Sequence, residues 1–258
     1  MLSPPDRDHF ATYGYVRVPG AFTDNEAEDM RAVVWSELAK QGIERDNPNT
    51  WLNESPAHLQ HLKDRPAFKA VGSGRTLGAI DDLVGAGRWR QPADWGAYFL
   101  LFPTFRPWNV PWKAWHIDHD YTAPLTPLSG LKVHAMFGDV APRAGGMTIL
   151  TGSHRLVAQH FAANPPAPGA KGAQVRKSLM RSYEYLRDLG TDGEPEKRIA
   201  RFFDREEEVD GIALRVAELT ATAGEVILMH PLMLHTRPTN AGAYPRFLLN
   251  KDLYLGAS

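Results

Sequence analysis

Apolar residues recur at two different periods along the chain, and the change of period divides it. The N-terminal part is helical in spacing. Residues 6–13 read as a short helix ended by Gly14, and Tyr15-Val-Arg-Val18 alternates as a strand before a turn at Pro19-Gly20. Thr23-Asp24 is a helix N-cap signal, followed by Met30, Val33, Val34 and Leu38 on one face through to Gly42. The polar stretch 43–65, with Trp51 among Asn, Pro and His, predicts a loop or irregular hairpin. Residues 67–84 predict another helix in spite of Gly72-Ser-Gly74.

From Trp89 the period shortens to two. Strands are predicted at 95–102, 115–121, 131–140 and 147–150, the last closed by Thr151-Gly-Ser-His154. Residues 156–210 interrupt this rhythm with Pro165-Pro-Ala-Pro-Gly169, a helix near 176–189 and a charged stretch over 194–210. So long a segment between strands predicts an insertion over one mouth of the β-structure, a candidate lid. Strands return at 212–220, 225–230 and 246–255. Helices first and strands later predict a mainly β, α+β arrangement around an antiparallel core, in one domain over residues 1–258.

Composition and charge narrow the chemistry. A net charge of −1 gives no basic bias toward nucleic acid or an anionic membrane surface. No run approaches the ~18 apolar residues of a membrane span. The opening Met-Leu-Ser-Pro-Pro-Asp-Arg-Asp has no signal-peptide pattern, so a cytoplasmic protein is expected. The chain has no cysteine, so disulfides and thiolate ligands are excluded and any metal site must use His, Asp or Glu.

Trp115-His116-Ile117-Asp118-His119-Asp120 carries the most information. On a strand, residues two apart share a face, so His116 and Asp118 would present an imidazole and a carboxylate together. Two histidines and one carboxylate on one face of an octahedron suit Fe(II), leaving three positions open. His230 and His235, in Gly224-Glu-Val-Ile-Leu-Met-His-Pro-Leu-Met-Leu-His235, are both candidates for the third ligand. Arg246 bears on the choice, because it follows His235 by a short turn. That turn, through Asn240-Ala-Gly-Ala, would return Arg246 on the neighbouring strand, where a guanidinium can grip a carboxylate by two parallel hydrogen bonds.

With these residues in view, the chain resembles the phytanoyl-CoA dioxygenase family of Fe(II)/2-oxoglutarate oxygenases. The resemblance lies in Trp115-His-Ile-Asp118, in Gly145-Gly-Met-Thr-Ile-Leu-Thr-Gly-Ser-His-Arg155, and in Gly224-Glu225 through His235-Thr-Arg-Pro-Thr-Asn240 to Arg246. Tyr13-Gly-Tyr-Val-Arg-Val-Pro-Gly20 is similar to the family's opening. It implies a double-stranded β-helix (jelly-roll, cupin-like) core with N-terminal helices. It implies His116, Asp118 and His235 as iron ligands and Arg246 as the residue that binds 2-oxoglutarate. Small-molecule substrate and dioxygen are the implied partners, with succinate and carbon dioxide released. Two positions depart from the family: His134 stands where an aromatic residue is common, and Arg237 where a small hydroxyl residue is common. His134 and Thr236 are therefore the further candidates for co-substrate contact. Asp118 favours oxygenation, since related halogenases lack this carboxylate.

Other polar residues have plainer readings beside the functional one. His230 reads as packing more than ligand, His119 as structural, and Asp120 as sharing the ligand face or ending a solvated strand. Glu54, His58 and His61 have helical metal spacing in a loop-like context. Glu206-Glu-Glu208 reads as a solvated face. Trp108, Trp112 and Trp115 suit a substrate pocket or the core, and Tyr98 and Lys113 are candidates to face the site. A cupin-like metal enzyme that does not use 2-oxoglutarate, and a non-catalytic relative, stand as alternative functions.

Overall fold

The computed structural model describes residues 1–104 and 106–255. Its strands form two antiparallel sheets. The larger contains β1 (Tyr15–Val18), β2 (Ala97–Leu101), β3 (Gly130–Met136), β7 (Glu225–Met229) and β9 (Arg246–Tyr254), in the order β1-β7-β3-β9-β2. The smaller contains β4 (Met147–Thr151), β5 (Glu207–Val209), β6 (Ile212–Leu219) and β8 (His235–Thr236), in the order β5-β6-β4-β8. This is the jelly-roll core expected from the resemblance.

Register decides what each face carries, because residues directly opposite in antiparallel strands share a face. His134 lies opposite Ile227 on β7 and Asn250 on β9, Lys132 opposite Asp252, and Leu101 opposite Arg246. One face of the larger sheet therefore presents Lys132, His134 and Met136 beside Arg246, Leu248, Asn250 and Asp252. Its apolar members, Met136, Ile227 and Leu248, pack with Met147, Ile149 and Leu219 of the smaller sheet. The other face presents Val133, Ala135, Phe247 and Leu249 to the N-terminal helices. Both faces are covered, which explains why every residue of β3 is buried.

The helices that cover the outer face are α1 (Pro4–Tyr13), α2 (Asp24–Lys40) and α3 (Gly74–Val84). Thr23 caps α2 as its sequence predicts: its hydroxyl accepts from Glu26 N–H, and the Glu26 carboxylate accepts from Thr23 N–H. The helix predicted over 67–84 is split. Residues Pro66–Gly72 form 3-10 turns, and Ser73 adopts an extended conformation and caps α3. Glycine favours a helix interior weakly and serine competes for the backbone, so Gly72-Ser-Gly74 becomes a boundary.

The insertion is helical. It contains α4 (Ser153–Ala163), α5 (Gly172–Ser182), α6 (Glu184–Leu189) and α7 (Pro195–Arg198), then a π-turn over Ile199–Phe203. The helix predicted over 176–189 breaks at Tyr183, whose backbone is extended. The Gly-Ser-His segment read as a strand-closing turn is in fact the start of α4, whose Leu156, Val157 and Phe161 are buried. Together the insertion and residues 108–123 form a separate apolar cluster around Trp108, Trp115 and Leu179. Arg198 ties them: its buried guanidinium donates to the carbonyls of Val110, Pro111, Asp188, Leu189 and Thr191. Of the charged run at 206–208, Glu207 and Glu208 lie on the edge strand β5, Glu208 exposed.

The N-terminal helix is fastened to the sandwich through two buried histidines. His154 Nε2–H donates to Ala11 O at 3.0 Å, His230 N–H donates to Gly14 O at 2.8 Å, and the two rings lie 4.8 Å apart. Gly14 has φ 84°, and a Cβ there would strike Met233 and His154, so the sharp exit from α1 needs glycine. Burial pushes the His154 imidazole down to about 4, and burial with His154 alongside pushes His230 down to about 3. Both are neutral in the fold, whereas the unfolded chain takes up protons near pH 6.5. The stability from keeping them neutral is therefore fully present above that pH and is lost as the pH falls toward 4. Between pH 7.5 and 5, the urea-unfolding free energy should fall by roughly 2 kcal/mol more in the native protein than in His154→Gln. Equal losses in the two proteins would show that His154 protonates freely in the folded state.

Candidate metal centre

β8 is two residues long, yet it positions half of the site. His116 and His235 exchange backbone hydrogen bonds, each N–H donating to the other's carbonyl at 3.0 Å, so their rings lie on one side with centroids 4.5 Å apart. The strand predicted over 115–121 reduces to this one bridge. Beyond it the chain turns: Ala123 N–H donates to Asp120 O, and the Asp120 carboxylate accepts from Thr122 N–H and its hydroxyl. Aspartates capture nearby N–H groups and so compete with strand pairing. Asp118 thus reaches His116 through a bend and not by strand alternation.

The three side chains converge all the same. Asp118 Oδ1 lies 3.2 Å from His116 Nε2, and Asp118 Oδ2 lies 3.2 Å from His235 Nε2. One ligand atom from each lies within 4.8 Å of the others. The tautomers are fixed from behind. His116 Nδ1–H donates to Ala114 O at 2.7 Å and His235 Nδ1–H to Met233 O at 3.0 Å, since a carbonyl can only accept. Each Nε2 then points its lone pair at a carboxylate oxygen. Two acceptors at that distance repel unless a cation lies between them. A proton serves at His116, which Asp118 raises above the usual imidazole range, whereas burial lowers His235. A divalent metal ion serves for both at once, so the donor set fits a two-histidine, one-carboxylate metal site.

Lys132 is the residue that sequence reasoning missed. It is 3% exposed on β3, and its ammonium lies 2.6 Å from Asp118 Oδ2 and 2.7 Å from Asp252 Oδ1. It lies two residues before His134 on an inward face, a parity visible in the sequence, but a lysine in an apolar strand reads as an edge residue. His116 first, then His235, and Lys132 as well hold the Asp118 carboxyl far below the usual carboxylate range.

Arg246 lies farther into the same face. It is 1% exposed, with Nη1 donating to Gly145 O at 2.6 Å and Nη2 to Phe99 O at 3.3 Å. Its Nε has no partner, and no carboxylate pairs with it among the described residues. Burial, with Arg237 nearby, depresses its pKa to about 9. The turn at 240–245 does not return Arg246 beside β8. Asn240, clamped to Leu101 O and Tyr244 O, sends the chain across to the larger sheet, so Arg246 faces the smaller sheet from opposite. Gly145 reaches it from a backbone with φ 83°, where a Cβ would crowd Leu101 and Asn240.

His134 is fully buried, and among the described residues neither of its ring nitrogens nor the Thr148 hydroxyl has a hydrogen-bond partner. Burial, with Lys132, His235 and Arg246 around it, keeps His134 neutral. Thr236 is placed differently from expectation: its hydroxyl donates to Lys113 O at 2.9 Å and so fastens β8.

The remaining candidates disperse. His230 packs against Phe10 and His154, away from the triad. Among the described residues only one three-ligand cluster occurs; Glu54 pairs with Arg237 and His61 with Glu37. Tyr98 faces the outer core against Phe68, and the Lys113 ammonium lies over the Trp112 ring. Trp108 and Trp115 belong to the core beneath the insertion. His119, held by Ser129, and Asp120 line a cavity of about 630 Å³ that lies between His116 and Asp118 on one side and residues 165–176 on the other.

No family model matches the chain, and no curated protein matches it in sequence. Solved structures do match. HygX from Streptomyces hygroscopicus, with nickel and 2-oxoglutarate bound, is 16% identical, with a TM-score of 0.57 over 99% of this chain and 88% of that one. AviO1 from Streptomyces viridochromogenes Tue57 is 14% identical, with a TM-score of 0.55 over 98% and 95%. A nickel complex of ThoJ, a non-heme monooxygenase, is 17% identical, with a TM-score of 0.51 over 96% and 76%. At these identities the likeness establishes the fold.

Lys132 acts as a counter-ion to Asp118, a role that a bound metal would share. Lys132→Met should destabilise the metal-free protein by about 1–2 kcal/mol, because the two carboxylates left behind are partly exposed. Ni(II) should then raise the thermal midpoint of the variant by more than it raises that of the native protein. A smaller nickel shift in the variant would mean that Lys132 orients the carboxylate and does not neutralise it.

Proposed function

We propose that the chain is a non-haem Fe(II)- and 2-oxoglutarate-dependent dioxygenase that oxidises, most simply hydroxylates, a small organic molecule. The observation that carries this reading is Arg246, a buried guanidinium that touches no carboxylate among the described residues, with Glu218 its nearest acidic influence, on the wall that leads to the His116–Asp118–His235 cluster. A buried charge is costly unless it is paired, and a dicarboxylate that also reaches a metal would pair it. In this reading His116, Asp118 and His235 hold the iron. When bound, iron and 2-oxoglutarate supply an oxidant from dioxygen, with release of succinate and carbon dioxide.

The other residues prepare that site. The carbonyls of Gly145 and Phe99 fix the guanidinium plane of Arg246, so a carboxylate meets a preset fork. His134, neutral and unpartnered between Arg246 and the cluster, is placed to donate a hydrogen bond to the co-substrate. Met136, Met147, Ile149 and Leu248 keep this interior dry. The cavity of about 630 Å³ beyond Asp118 is the substrate pocket in this reading, with the insertion as its outer wall. The quoted motifs support membership of the phytanoyl-CoA dioxygenase family, as one catalytic domain. A cysteine-free chain with no helix among the described residues long and apolar enough to cross a membrane suits a cytoplasmic setting.

Anaerobic titration of the Fe(II) protein with 2-oxoglutarate tests the reading. Keto-acid chelation should produce a visible metal-to-ligand charge-transfer band in the native protein and none in His235→Ala. Arg246→Ala should need roughly 30-fold more 2-oxoglutarate, the worth of a charge-assisted pair of hydrogen bonds. Iron binding without a band would favour a cupin-like metal enzyme that does not use 2-oxoglutarate.

A further inference from the structure

Residues 151–183 contain no Asp or Glu but include Arg155, Lys171, Arg176, Lys177 and Arg181, in a chain whose net charge is −1. Such a one-signed segment is ordinarily a solvated face, but two of these cations are not at the solvent limit. Arg176, on α5, is half-buried and lines the cavity whose opposite wall is His116 and Asp118. Arg155, on α4, is half-buried and lines an adjoining cavity of about 540 Å³; the two share Tyr121 and Thr122. Neither guanidinium has an acidic partner within ion-pair distance among the described residues, although Arg201 in the same insertion pairs with both Asp188 and Glu207. Outside the triad, the one carboxylate in the first cavity is Asp120, and Thr122 already engages it. Gly172 and Ala173, the first residues of α5, line the same wall and add the positive end of a helix dipole.

We infer that the substrate of this site is an anion, a molecule bearing a carboxylate or phosphoryl group that Arg176 binds while the carbon to be oxidised faces His116 and Asp118. The inference rests on the oxygenase reading and assigns its substrate class. Arg155 lies where a longer substrate, running from the first cavity into the second, would place a further acidic group. The guanidinium fork suits both oxyanions, and its half-buried position strengthens the pairing relative to an exposed lysine.

Phenyl phosphate, benzoate and neutral benzyl alcohol are suitable probes, with binding followed by the relaxation of their protons. Saturating 2-oxoglutarate keeps Arg246 occupied, and measurements are made with and without Fe(II). The two anions should bind the native protein and relax faster when iron is present, and benzyl alcohol should not bind. Arg176→Ala should weaken anion binding by roughly tenfold or more, the worth of one charge-assisted hydrogen bond, and Arg176→Lys should restore part of it. Lys177→Ala, an exposed neighbour, should leave it unchanged. The tighter of the two anions identifies the group recognised. Equal binding of benzyl alcohol, or no change in Arg176→Ala, would overturn the inference even if the charge-transfer band forms normally. Arg176-dependent anion binding in a protein that forms no such band would instead overturn the co-substrate reading and leave the anion site standing.

Discussion

Asp118 is the point at which the two sheets are tied to one another chemically. One of its oxygens faces His116, which is bridged to the edge of the smaller sheet; the other faces both His235 on that sheet and Lys132 on the larger one. A carboxylate in a partly dry site needs each of these partners, because an unmatched charge there is far more costly than one in water. The need fixes the bend after His116, the depth of Lys132 and the approach of the two sheet edges. The metal site and the closure of the sandwich at that end are therefore one arrangement.

The two deeply buried arginines show how differently the chain treats the same group. Arg198 is surrounded by five carbonyls and has no need of an anion; its work is to hold the insertion against the segment that leads to His116. Arg246 receives two carbonyls and keeps its Nε idle. The chain evidently has the means to satisfy a buried guanidinium from its own backbone. At Arg246 it stops short, and the unpartnered His134 and Thr148 lie on the same interior. Single orphaned atoms occur elsewhere among the described residues, at Tyr98, Trp108 and Tyr185 for instance, but at His134 both ring nitrogens are left over, close to a guanidinium that is itself incompletely paired.

Much of this was legible in the sequence. The strands around 131–136, 147–151, 212–219 and 246–254 announced themselves by alternation, and Thr23 announced α2 by its side-chain chemistry. The triad was legible because its order and spacing sit in motifs specific only when taken together. Other features were not. Parity placed Asp118 beside His116 for the wrong reason, since a bend, and not a strand, brings them together. Lys132 escaped notice because its partners, Asp118 and Asp252, come from distant parts of the chain. The crossing of Arg246 to the facing sheet depends on Asn240 gripping Leu101 and Tyr244, a tertiary clamp with no local periodicity. The breaks at Ser73 and Tyr183 show that a hydrophobic stripe gives the extent of a helical region more readily than its continuity.

The insertion departs from β4 and returns through β5 to β6, and β4 and β6 are directly paired, Thr151 opposite Arg215. Topologically it is an enlarged hairpin loop, whose two stems are locked together whatever lies between them. The entropy of closing such a loop grows only slowly with its length. The ligand-bearing residues lie outside the segment, on 116–118 and 235. The register of β4 and β6 therefore does not limit the length of its helices; what limits them is Arg198 and the apolar cluster that they share with residues 108–123. The pairing that aligns the strands and the wall that shapes the cavity beyond Asp118 thus come from different stretches of the chain.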